Sequence, residues 1–301
     1  VQRLTKNGVS PSCIALPKGE WRTVTDFLIH QFPHIPKAEW IARMERGDVF
    51  DEQGIAVTQE QSYQAYSKLY YYRSLQSELR IPFEEVVLYQ DDYLVVVDKP
   101  HFLPVTPAGR YLQETLLVRL KQKLNIDTLA PMHRIDRETA GLVMFAIQPH
   151  TRDRYQALFR DKAITKEYEA IAPWLPALTL PMTYRSRLVE AESFMRMCEA
   201  EGEPNSETRI ELIEAKGNLA RYSLRPRTGQ RHQLRVHMAT LGMPILNDQI
   251  YPIHHPEFMA NSENAEPDYS KPLQLLAKSL AFTDPVTGQQ RQFESRRTLL
   301  F

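Results

Sequence analysis

The chain has 301 residues, enough for one large domain or for one large and one small. Its 37 Lys and Arg balance 37 Asp and Glu, so no global field draws a polyanion and any basic site must be local. Two distant cysteines, Cys13 and Cys198, in no C-x-x-C pair, argue against a thiolate metal site or a disulfide framework and fit a reducing, cytoplasmic compartment. No apolar signal core follows the first residues, and the longest apolar runs, such as 142 to 147, are far too short to span a bilayer. The expectation is a soluble protein without a membrane partner.

In chain order, Val24, Phe27, Leu28 and Phe32 recur at helical spacing, and Trp40, Ile41 and Met44 do so within a second helix over 37 to 46. Gly47 ends that helix, Val49 and Phe50 start a short strand, and Asp51-Glu52-Gln53-Gly54 is a turn. This order resembles an S4-like RNA-binding module, although residues 1 to 80 hold ten Lys and Arg against nine Asp and Glu. Tyr63, Tyr66, Tyr70, Tyr71 and Tyr72 are read as packing a twisted strand rather than as a stacking platform for bases. Residues 74 to 83 link this unit to the next.

Val86-Val87-Leu88-Tyr89 and Tyr93-Leu94-Val95-Val96-Val97 flank a turn and predict a hairpin. A helix follows over 111 to 124, with Leu116, Leu120 and Leu124 on one face. Next comes His133-Arg134-Ile135-Asp136-Arg137-Glu138-Thr139-Ala140-Gly141-Leu142, a charged cluster feeding an apolar strand. Such a loop either holds a carboxylate over a cleft or forms a solvated surface ion pair, and the residues alone leave both open.

This stretch resembles the signature of the RluA-type pseudouridine synthases, H-R-L/I-D-x-x-T-S/A-G-L/V. Asp98-Lys99-Pro100 with Leu103-Pro104-Val105 is similar to the opening of that family's catalytic domain, and many members carry an S4-like unit before it. The resemblance implies Asp136 as the indispensable catalytic residue. It also implies that Arg134 fills the stack vacated by a flipped base, beside His133, Arg137 and Thr139 as RNA-binding neighbours.

Downstream, 150 to 161 reads as a helix, and 163 to 172 as a strand whose alternation puts Lys166, Tyr168 and Ala170 on one face. A lone strand Tyr is ordinarily packing, but the family's second motif, K-x-Y-x-A, falls here and implies Tyr168 as a catalytic residue and Lys166 as an RNA contact. Strands over 183 to 189, 194 to 197, 206 to 213 and 219 to 224 without intervening helices indicate an antiparallel α+β sheet.

Between Ala215 and Asn247 stand six basic residues (Lys216, Arg221, Arg225, Arg227, Arg231, Arg235) and no acid, the one clearly anion-seeking segment. Thr228 is the expected N-cap of a helix with Leu234, Met238 and Leu241 buried, Arg231 and Arg235 sharing a face, and Gly242 and Pro244 as the stop. The family's third motif, R/K-T-G-R/Q-x-H-Q-I/L-R-V/A-H-L/M, is met here. It implies that Arg235 pairs with Asp136 and that Arg227, Gln230, Arg231 and His232 contact RNA, and Lys216 is expected to hold phosphate with Arg227 and Arg231.

Residues 255 to 271 read as a polar surface loop, the His254-His255 pair before Pro256 reads as surface rather than as a ligand, and 273 to 282 reads as a last long strand. The family usually has L-x-L-H-A in that strand; Leu276 stands in place of the His, which puts that residue's task in doubt here. No G-x-G-x-x-G or P-loop is present, and His232 and His237 are five apart, so neither a cofactor nor a metal is expected. Arg134, Arg137 and Arg235 are expected to favour the charged form of Asp136 against desolvation.

The resulting expectation is an α+β, mixed and mainly antiparallel sheet flanked by helices over 81 to 301, after a small S4-like α/β unit over 1 to 80. The implied function is cofactor-free isomerisation of uridine in structured RNA, ribosomal or transfer, by a monomer. The alternatives are an RNA-binding protein that keeps the fold without catalysis, and an unrelated hydrolase using Asp136 with His133.

Overall fold

The computed structural model describes residues 5–73, 78–193, 196–252 and 268–301. The start of the strand expected from Phe194, the His254-His255 pair, residues 255–267 of the expected surface loop and residues 74–77 of the expected linker lie outside the described residues. The chain divides into two compact units, one formed by Val1–Leu79 with Thr106–Asp127, the other by Arg80–Val105 with Thr128–Phe301.

The smaller unit contains β1 (Ser12–Ala15), α1 (Val24–Gln31), α2 (Lys37–Glu45), β2 (Val49–Phe50), β3 (Lys68–Tyr71) and α3 (Leu116–Leu124). Its three strands pair antiparallel in the order β1-β3-β2. Thr23 and Asp26 form a reciprocal capping box that starts α1. Val24, Phe27, Leu28, Trp40, Met44 and Tyr71 make the core. Tyr66 departs from the packing expected of the tyrosine cluster: it is 81% exposed at a positive φ. The helix expected from 111 begins only at Leu116. Glu78 explains why, since its carboxylate accepts from the backbone N–H of Leu112, Gln113 and Glu114 at 2.7 to 2.9 Å, and Thr115 is extended at φ −134° and caps Val118.

The larger unit is an α+β fold built on one sheet. Its strands are β4 (Val86–Gln90), β5 (Leu94–Lys99), β6 (Ala130–Pro131), β7 (Ala140–Ala146), β8 (Thr165–Pro173), β9 (Met182–Glu190), β10 (Met197–Ala200), β11 (Ser206–Lys216), β12 (Leu219–Pro226), β13 (Leu275–Thr283) and β14 (Gln290–Glu294). The order is β10-β9-β11-β12-β8-β13-β7-β5-β4, with β14 beside β13 and β6 beside β7. Only the β7–β13 pairing is parallel among the described strands. Two helices pack on it, α4 (Arg152–Arg160) and α5 (Gln233–Thr240). The β7 residues are buried on both faces, so the loop before β7 leaves a rigid base. Leu276 sits in the core, paired with Ala140 and packed on Ile171 and Leu299.

Gly141 is what lets β7 and β13 approach. It has φ +110°, and a Cβ there would lie 2.3 Å from the Ala277 carbonyl oxygen. Gly141→Ala is expected to lower unfolding stability by about 2 to 4 kcal/mol through strain and overlap. A urea midpoint equal to that of the unaltered chain would show that the strands part without cost.

Candidate active site

Asp136 stands in the short loop that enters β7, and three contacts shape that loop. The Thr139 N–H donates to the Asp136 carbonyl at 3.2 Å. Lys99, wholly buried at the end of β5, donates to the carbonyls of Pro100, Leu103 and Arg137 at 2.9, 2.8 and 3.0 Å. Three acceptors match the three N–H of an ammonium, while burial pushes the Lys99 pKa down to about 7 against the opposing charges of Glu138 and Asp136. His133 accepts the Met144 N–H on Nε2 at 3.1 Å and stacks on Phe159 at 4.5 Å. Burial, then the charge of Lys166, pushes its pKa down to about 3, so it is a neutral structural ring and no base for Asp136. Arg137 also turns away, to Glu138 at 2.7 Å. Burial alone would raise the Glu138 pKa, but Arg137 and Arg235 hold it below the usual carboxylate range.

The opposite wall comes from α5. The Arg235 Nη1 donates to Asp136 Oδ2 at 3.0 Å. Its Nε and Nη2 donate to the two oxygens of Asp248, each at 2.8 Å. Burial disfavours the Arg235 charge, but the hydrogen bonds and charge of Asp248, then Asp136, raise its pKa on balance. The two carboxylates differ in access: the Asp248 side chain is 0% exposed and that of Asp136 27%, so only Asp136 presents an oxygen outward. The ring of His232 stands beside it, Nε2 being 3.8 Å from Asp136 Oδ1.

Two expectations about this segment need correction. Thr228 does not cap the helix, which begins at Gln233 because His232 takes a left-handed φ of 54° and breaks the run before it. The strut is Gln233: its Oε1 accepts from the Thr228 hydroxyl and Gln230 N–H at 2.7 and 3.1 Å, and its amide donates to the Glu207 carbonyl and Thr208 Oγ1 at 3.0 and 2.9 Å. Arg231 therefore lies outside the helix and shares no face with Arg235; its side chain is solvent-accessible, 3.9 Å from Glu190, whereas Arg235 is enclosed.

A cleft opens over these groups, with Arg134, Asp136 and Thr139 on one side, Lys166 and Tyr168 of β8 on the floor, and Thr228, Gln230, His232 and Arg235 opposite. Lys166 donates to the Thr228 carbonyl at 2.9 Å, and burial pulls its pKa down to about 8. Burial and then the Asp136 charge raise the Tyr168 pKa, keeping a neutral phenol at the cleft. Arg134 is exposed at the rim.

Other basic residues of the 215 to 247 segment do not join the cleft. Lys216 pairs with Leu219 at one end of the β11–β12 hairpin and Pro226 pairs with Thr208 at the other, roughly 25 Å apart at strand rise. The Lys216 ammonium lies over Phe301. Arg227 is exposed and 3.9 Å from Glu207. Arg221 pairs with Glu169 and Glu214, and Arg225 with Glu167 and Glu211. The acid-free run is thus flanked by acids on adjacent strands. Gln233 stood in the third motif without being read as a site residue, and Asp248 and Tyr251 stood in none; the hint for Asp248 was that it is the first acid after that run.

Buried histidines set an acid limit on stability. His101, His133 and His237 are held near 4, 3 and 4 by burial, against an ordinary value of 6.5. The unfolded chain therefore binds more protons below pH 6.5, and stability must fall as pH drops from 6.5 toward 4. A urea midpoint unchanged between pH 7 and 5 would contradict this. Among the described residues no group of three or more His, Cys, Asp or Glu could hold a metal, and no helix is long and apolar enough to cross a membrane.

Comparison with known proteins places this geometry in context. Residues 93–240 match the model of a family described as RNA pseudouridylate synthase. A dual-specificity RNA pseudouridine synthase RluA of Escherichia coli is 33% identical over 218 residues, covering 70% of this chain and 92% of that one. The human pseudouridylate synthase RPUSD2 is 34% identical over 168 residues, 55% of this chain, which spans 30% of its length. Among solved structures, human RNA pseudouridylate synthase domain containing 1 superposes with a TM-score of 0.56 at 20% identity, covering 71% of this chain and 84% of that one.

Proposed function

The chain belongs to the RluA-type RNA pseudouridine synthases, and from that premise we propose that it isomerises selected uridines of structured RNA, ribosomal or transfer, to pseudouridine. The observation that carries the reading is the meeting of Asp136, Tyr168 and Arg235, from three separate stretches, at one cleft. The glycosidic N1–C1′ bond breaks, the base turns, C5 bonds to C1′, the C5 proton leaves and N1 gains one. Product and substrate are isomers, so no cofactor enters the balance.

Asp136 supplies a carboxylate oxygen to the sugar, by attack at C1′ or by removal of a sugar proton. Arg235, anchored from behind by Asp248, orients that carboxylate and cannot swing to the RNA itself. Tyr168 offers a ring face to the flipped uracil and, as a neutral phenol, a proton rather than a base. A base inside a helix must be extruded at a cost of roughly a few kcal/mol, which Arg134 at the rim offsets by occupying the gap. Lys166, Thr139, Gln230 and Arg231 are the remaining RNA contacts in this reading. In this reading residues 81 to 301, apart from the 106–127 segment that belongs to the smaller unit, carry catalysis, and residues 1 to 80 belong to an S4-like accessory unit of a cytoplasmic monomer.

The test is RNA carrying tritium at uracil C5, incubated with the chain alone. Tritium released to water should equal the pseudouridine found in the digested RNA. Binding without either product would favour the catalytically idle reading, and cleaved RNA or a product of altered mass would favour a hydrolase.

A further inference from the structure

His232 reaches toward the free side of the Asp136 carboxylate, and which of its nitrogens carries the proton decides whether it attracts or repels that oxygen. The neighbouring hydrogen bonds answer this. Tyr251 is buried against Leu188, Met197 and Val236, and its hydroxyl oxygen accepts the Met197 N–H at 2.8 Å. The same oxygen lies 2.9 Å from His232 Nδ1. The Met197 contact uses an acceptor site, and among the described residues Nδ1 is the acceptor that the single phenol proton meets, so the Tyr251 O–H donates to Nδ1. Nδ1 is therefore the unprotonated nitrogen and Nε2 bears the hydrogen, with Asp136 Oδ1 3.8 Å from it. Burial first, then the charges of Arg235 and Arg231 against that of Asp136, lowers the His232 pKa, in keeping with a neutral ring. The Arg235 guanidinium lies 5.4 Å from the Tyr251 ring centre, so Tyr251 touches both groups that face Asp136.

We infer that Tyr251 fixes His232 in its Nε2–H tautomer, and that this N–H is a second hold on Asp136, opposite Arg235. Both are positioning residues, and their effect on rate rests on the reaction proposed above. The gap of 3.8 Å closes to hydrogen-bond length when RNA fills the cleft, as contacts in empty sites commonly tighten on substrate binding. Held at both oxygens, the carboxylate has one rotational setting toward the sugar.

The tautomer is read without RNA from the ring-nitrogen shifts of ¹⁵N-histidine-labelled full-length chain. The unaltered protein should show His232 protonated on Nε2, and Tyr251→Phe should give a mixture or the Nδ1–H form. An Nδ1–H form in the unaltered protein, or no change in Tyr251→Phe, overturns the assignment. Rate supplies the second reading. Tyr251→Phe should slow single-turnover pseudouridine formation by roughly tenfold, the loss of one hydrogen bond to a charged group, at unchanged RNA affinity. His232→Gln, whose amide nitrogen replaces Nε2–H, should recover rate relative to His232→Ala. In the His232→Gln background Tyr251→Phe should cost nothing more, because no tautomer is left to set. An equal, additive cost there would reduce Tyr251 to packing and sink the positioning role. If the unaltered chain forms no pseudouridine at all, the reaction assignment fails while the nitrogen shifts still decide the tautomer.

Discussion

Asp136→Asn is expected to give a folded, RNA-binding chain whose single-turnover rate is lower by at least about a thousandfold. The amide keeps the shape of the carboxylate and one oxygen for the Arg235 Nη1 bond, which spans 3.0 Å in the unaltered protein. What it loses is the charge and nucleophilicity at the cleft. The site is partly open, so the loop, held by Lys99 and by the Thr139 turn, has no reason to unfold. The urea midpoint and RNA affinity should therefore stay near those of the unaltered chain while product disappears. A rate within tenfold would remove Asp136 from the chemistry, and a collapsed midpoint would make it structural.

The second large effect is expected at Arg235. Arg235→Met leaves Asp248, with no solvent exposure, facing an apolar side chain, and breaking a buried pair by removing one partner costs about 3 to 5 kcal/mol. Activity should vanish as well, because Asp136 loses its hold. Adding Asp248→Asn removes the stranded charge while an amide oxygen still accepts from the Ile250 and Tyr251 N–H groups. The double variant should regain most of the lost stability and none of the rate. If rate returns with stability, Arg235 serves the fold alone; if neither returns, Asp248 has a task beyond balancing the guanidinium.

Local periodicity made much of the fold readable: the alternation through Lys166, Tyr168 and Ala170, the hairpin around residues 90 to 93 and the two early helices all lie where short-range pattern put them. Errors arose where a distant residue or an unforeseen left-handed backbone turn overrode local preference. Glu78 holds 112 to 114 out of α3, and the left-handed turn at His232 moves the start of α5 past Thr228. Charge counted along the chain misled for a similar reason. Glu167 and Glu169 reach the basic segment from β8, and Glu207, Glu211 and Glu214 from β11, because strand pairing sets these acids beside it in a way that a charge count between 215 and 247 leaves out.

Site residues divide the same way. Asp136, Tyr168 and Arg235 fell within recognisable motifs, and the cleft unites them. Asp248 and Tyr251 carry no pattern of their own. An Asp near a Tyr becomes meaningful only once the fold sets it behind a buried guanidinium and a left-handed His.

The most direct measurement is a nucleotide-resolution map of pseudouridine in one pool of structured RNA, exposed in parallel to the unaltered chain and to no protein. The expected result is a small, discrete set of uridines converted by the chain without added cofactor. Two identical maps, with the RNA shown to be bound, would contradict it.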